Sequence, residues 1–139
     1  MSKKNRFLLL FLLINFVSYS QLLNDSDVIF RNFKAYKKVG DNLSGSLIKS
    51  GETNTKISVS SIEITTYIAF ETTLLGGGEQ VFIVSNVAKE NESGMTTCYI
   101  ECRNGLDPER KIVKFIFEYI DNKLTKVYFP TTTGIVEFY

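Results

Sequence analysis

Along most of this chain the apolar residues recur at every second position, the period of a half-buried strand. The clearest stretch is Lys111 to Ile120, with Val113, Phe115, Phe117 and Tyr119 on one face and Ile112, Ile116 and Ile120 on the other. Two apolar faces predict a central strand covered on both sides. Asp121-Asn122 then turns the chain into Leu124 to Phe129, and Pro130 to Gly134 turns it into Ile135 to Tyr139. The carboxyl-terminal third therefore reads as a three-strand meander.

The same period runs upstream. From Thr96 to Arg103, Cys98, Ile100 and Cys102 alternate with Tyr99, Glu101 and Arg103. From Gln80 to Val87, Val81 and Ile83 face one way and Phe82 and Val84 the other. Asn91 to Gly94 and Asn104-Gly105 supply turn chemistry, with Asp107-Pro108 lengthening the second connection. Ile57 and Val59 share a face, after which the phase slips to Ile62, Ile64, Thr66, Ile68 and Phe70. That slip fits a bulge near Ser60-Ser61 or a tight bend between two strands.

Two segments break the pattern. In Ile29, Phe30, Phe33, Tyr36 and Val39 the steps are mostly of three and four, with Asp25 to Asp27 before them and Lys37, Lys38 and Gly40 after. Such spacing and capping predict a helix over about residues 27–39, set against a first edge strand favoured by its aromatics. At the amino terminus, Lys3, Lys4 and Arg6 precede an apolar run from Phe7 to Val17 interrupted only by Asn15. The run falls well short of the roughly 20 residues of a membrane-spanning helix. With small Ser18 and Ser20 behind it, it reads as a cleavable export signal over residues 1–20, cut between Ser20 and Gln21. No cysteine lies at that junction to accept lipid, so the expected product is exported to the periplasm or the extracellular medium without a lipid anchor.

Residues 21–139 then form one β domain of about seven or eight strands, a small antiparallel barrel or sandwich, with the helix covering a face or an end. Removal of the signal takes three of the 16 basic residues and none of the 15 acidic ones, leaving 13 against 15 and a net charge of −2. A near-neutral surface lacks the basic patch that nucleic acid requires. The chain has no histidine. That removes the Ser-His and Cys-His nucleophile pairs and leaves Cys98 and Cys102 as too few soft ligands for zinc.

Cys98 and Cys102 are the one cysteine pair. On a continuous strand, four residues at about 3.3 Å each separate them by roughly 13 Å, beyond the about 7 Å between Cα atoms that a disulfide spans. They read as buried thiols facing one core, with a bridge across a local bend or between chains as the alternatives. The Gly76 to Gly78 run precedes a strand, not a helix, and so reads as a hairpin loop instead of a phosphate cradle. Asp25-Ser26-Asp27 lacks the glycine and distal glutamate of a calcium loop and reads as capping. No cofactor is called for.

The ending Thr132-Thr133-Gly134-Ile135-Val136-Glu137-Phe138-Tyr139 resembles the terminal strand signal of outer-membrane barrels, polar-x-Gly-x-x-aromatic-x-aromatic. The resemblance implies a small membrane barrel. It departs at Glu137, where that pattern is apolar, and Leu124 to Phe129 is shorter than the about nine residues that span a bilayer. The sequence favours a soluble, non-catalytic domain that binds a small apolar ligand or a protein partner. Phe115, Phe117 and Tyr119 would line a cavity or fill the core. Glu101 and Glu118 are the candidate acids of a third reading, a carboxylate-based hydrolase.

Overall fold

The computed structural model describes residues 23–37, 45–74 and 77–139; the expected export signal over residues 1–20 lies outside them. Its strands are β1 (Ser26–Lys37), β2 (Leu47–Ile62), β3 (Thr65–Thr72), β4 (Glu79–Glu92), β5 (Met95–Asn104), β6 (Ile112–Ile120), β7 (Lys123–Pro130) and β8 (Gly134–Phe138). Each pairs antiparallel with the next, and β8 pairs with β1 from Phe33↔Phe138 to Lys37↔Gly134, so the sheet closes into an eight-stranded barrel. Reciprocal hydrogen bonds between Asn32 and Tyr139, at 3.2 and 3.1 Å, extend that seam to the last residue. Closure removes both sheet edges.

No helix occurs among the described residues, and the segment expected to be helical is β1. The cause of the misreading is a register shift between Phe30 and Asn32. Phe30 and Phe33 both enter the core, with exposed Arg31 and Asn32 between them, so a strand with an irregularity mimics helical spacing. The phase slip farther on is the tight bend: β2 continues through Ile62, and Glu63 at φ 56° turns the chain into β3. Ile62 and Ile64 project into solvent, and only Thr66, Ile68 and Phe70 of that series are buried.

The barrel interior is filled by aromatic rings. Phe70 stacks on Phe129, Phe82 meets Phe115 edge to face at 5.0 Å, and Phe115 lies 5.2 Å from Phe129. Eight strands enclose a lumen just wide enough for side chains to fill or for one small ligand. Here side chains fill it. The outer wall is mixed, with Lys56, Glu71, Glu90, Lys114 and Glu118 on outward positions beside exposed Ile29, Val81, Ile83 and Tyr99. The strand expected to be covered on both sides is covered on one: Ile112 and Ile120 are about half exposed on the outer face.

One end of the barrel carries three two-residue turns, at Glu63-Ile64, Ser93-Gly94 and Asp121-Asn122. Ser93, Gly94, Asp121 and Asn122 all have positive φ, the requirement of the primed turns whose twist matches the flanking strands. Leu23 packs at this end with 1% exposure.

Candidate functional site

With the lumen occupied, concave surface has to be sought in the wall and at the ends. A groove of about 600 Å³, larger than the other concavities found among the described residues, lies on the outer wall where β4, β5 and β6 approach the β7–β8 corner. Ala88, Tyr99, Ile116, Pro130 and Ile135 give it an apolar lining, while Glu101 and Lys114 stand opposite each other across β5 and β6 as its charged rim.

The groove exists because a ladder stops early. β6 pairs with β5 along its whole length, Ile112 to Ile120, but with β7 only from Ile116↔Tyr128 to Ile120↔Lys123. Beyond Tyr128, β7 pairs Phe129 and Pro130 with β8 alone. Pro130 has no N–H to donate to a ladder. Ile112 to Phe115 therefore have a paired strand on one side only, and Lys114 and Phe115 border the groove. Ile100 and Phe115, whose side chains are buried in the core, form part of the groove floor.

A second feature lies on the outer face of β8. Glu137 is 7% exposed although it points away from the lumen. Tyr36 donates its phenol to one carboxylate oxygen at 3.0 Å, and the Lys126 ammonium lies 3.1 Å from the other. Burial, with smaller contributions from Glu118 and Glu137, pushes the neighbouring Tyr128 phenol up to about 12. The carboxylate is paired and hydrogen-bonded, the condition under which a charge tolerates burial. This is a structural cluster, and none of its four residues lines the groove.

The expected residues fall as follows. Cys98 and Cys102 are both buried and unbridged on one face of β5, and the Cys102 thiol donates to the Val113 carbonyl at 3.3 Å. Phe115 and Phe117 are 1% and 0% exposed within the ring array, with their ring centroids 6.0 Å apart. Tyr119 sits at the turn-bearing end of the same row. Glu101 opposes Lys114 and Glu118 opposes Thr97, so the two acids are four residues apart along the ladder and do not share a cleft. Asp27 caps no helix; it accepts from Ser58 at 3.2 Å and pairs with Lys56 at 3.6 Å. Gly77 and Gly78, at φ 77° and 90°, occupy the β3–β4 connection. Among the described residues no three His, Cys, Asp or Glu side chains cluster as metal ligands.

The fold and its surface define a closed, side-chain-filled antiparallel barrel with a groove on the outside. No protein-family model, no curated protein and no solved structure matches the chain.

Proposed function

We propose that this chain is an exported, non-catalytic binding domain that takes an extended apolar segment of a protein partner into the groove beside β6. The observation that carries the reading is the interrupted β6–β7 ladder opening onto apolar side chains. An extended peptide satisfies both features at once, since its main chain pairs with an open strand and its alternate side chains enter apolar pockets. The filled interior disfavours a small apolar ligand within the lumen. Charges such as Lys56, Glu71, Glu90, Lys114 and Glu118 interrupt the outer face, where a lipid-spanning barrel presents a continuous apolar band, and this supports a water-facing domain over the membrane alternative.

The chain contains no tryptophan, so a probe peptide carrying one reports its own burial without background. Ten-residue peptides of alternating apolar and polar residues, each with one tryptophan, should bind saturably with a blue-shifted emission. Ile116→Glu in the groove should weaken binding by about tenfold or more, as expected for a charge placed in an apolar contact. Ile120→Glu, on the same outer face but outside the groove, should leave it unchanged. Absence of saturable binding by any such peptide, or equal binding by the Ile116→Glu protein, would overturn the reading.

A further inference from the structure

At the end that carries the two-residue turns, a separate pocket of about 220 Å³ opens into the barrel mouth. Strand register builds its floor in two rows. Asn91 opposes Thr96, which opposes Tyr119; one step inward, Lys89 opposes Cys98, which opposes Phe117. Directly opposed residues project from the same face of the sheet. A register shift between Val84 and Asn86 sets this phase, bringing Lys89 and Asn91 to the inner side of β4, where unbroken alternation from Phe82 and Val84 would put them outside. Leu23 closes the opposite wall.

Two observations point to a ligand. The first is Tyr119, which is 5% exposed and whose buried hydroxyl has no hydrogen-bond partner among the described residues. The Ser26 hydroxyl comes near the phenol but donates its proton to the Asn24 carbonyl at 3.2 Å, and the contact with Tyr119 lacks hydrogen-bond geometry. Buried hydroxyls without partners are rare because they forfeit their hydration. Tyr119 is itself part of the pocket lining.

The second is the polarity of the lining. Among the described residues Lys89 is its one charged side chain, and no carboxylate lines it. The ammonium lies close enough to Cys98 to oppose the upward push of burial on that thiol. Thr96 donates to the Asn91 side-chain oxygen at 2.6 Å, which leaves the N–H groups of that amide as donors. An ammonium, a phenol and an amide thus line one pocket whose described lining contains no carboxylate.

We propose that the barrel mouth binds a small organic carboxylate. Lys89 supplies the counter-ion, Tyr119 and Asn91 donate to the carboxylate oxygens, and Leu23 and Cys98 pack against a short aliphatic tail. Charge-assisted hydrogen bonds of this kind are the strong ones. The volume, below the range of about 300–1,000 Å³ of drug-sized sites, restricts the ligand to a few carbons.

Titration of the protein with butyrate, followed by amide NMR, tests this, with butyramide and inorganic phosphate titrated in parallel. Butyrate should shift the Lys89, Thr96 and Tyr119 signals saturably, and the other two compounds should bind at least about tenfold more weakly. Lys89→Met should weaken butyrate by about tenfold. Tyr119→Phe should also weaken it, yet raise the melting temperature of the unliganded protein by deleting an unpartnered hydroxyl. A merely structural tyrosine would not give that opposition. Non-saturating or scattered shifts, an equal response to phosphate or butyramide, or unchanged affinity in Lys89→Met would overturn the assignment.

Discussion

Phe70 on β3 and Phe129 on β7 stack face to face across the barrel, with ring centroids 4.7 Å apart and planes 8° from parallel. Phe138 meets the first of these edge-on at 5.5 Å, and Phe82 meets the second at 6.3 Å. The lumen is thus held by aromatic contacts between strands distant in the chain. Phe129→Ala removes the ring at the centre of that array and leaves a cavity that rigid barrel walls cannot collapse. The expected loss is about 3–5 kcal/mol, measured as a lowered midpoint of denaturant unfolding at unchanged slope.

The ion pairs should separate by burial. Lys126→Met leaves the buried Glu137 carboxylate with the Tyr36 hydroxyl alone. An abandoned charge of this kind costs more than the pair contributes, here about 1–3 kcal/mol given that the lysine is partly solvated. Lys111→Met breaks the pair with Glu109, whose partners are 75% and 67% exposed, and should cost less than about 0.5 kcal/mol. Equal losses in the two variants would contradict this account of the β8 face.

Alkaline pH should destabilise the barrel. Burial pushes the Cys102 thiol from 9.0 up to about 12, and burial with nearby carboxylates pushes the Tyr128 phenol from 10.0 up to about 12. The folded state holds these protons more tightly than the unfolded state. Their contribution is therefore complete below the unfolded values and is lost as pH rises through the folded ones. Unfolding midpoints followed against pH should be level up to about pH 9 and fall between about pH 9 and 12. Cys102 accounts for at most about 1.4 kcal/mol per pH unit, so Cys102→Val should make the decline shallower.

The two thiols should remain separate under oxidising conditions. Cys98 and Cys102 share a face of β5 four residues apart, too far for a bridge, and both are buried. Alkylation after denaturation without reductant should modify two thiols per chain. Alkylation of the native protein should be slow, because Cys102 is held as a neutral thiol. A single intramolecular disulfide by mass would contradict the register of β5.

The sequence carries the β-rich class and the last meander plainly, because Phe115, Phe117 and Tyr119 alternate without interruption and the Asp121-Asn122 turn is local. It misplaces β1 because one irregular step at Arg31-Asn32 turns a two-residue period into a three-residue one. Ile116 looked like half of a covered face; whether a neighbour covers an outward isoleucine depends on tertiary register, which periodicity does not contain. The groove was illegible for the same reason. Pro130 hints at an interrupted ladder, but which strand lies beside the gap is set by barrel closure. The mouth pocket depends on the register shift after Val84, which re-aims Lys89 inward, and no residue type in that stretch announces a bulge.

The central claim is that recognition occurs at the open side of β6. Residue-resolved amide hydrogen exchange, with and without a tryptophan-bearing peptide of alternating apolar and polar residues, tests it most directly. Added protection should concentrate on Ile112 to Phe115, the stretch with no β7 partner. Protection confined to the barrel mouth around Lys89 and Thr96, or none at all under saturating peptide, would contradict the claim.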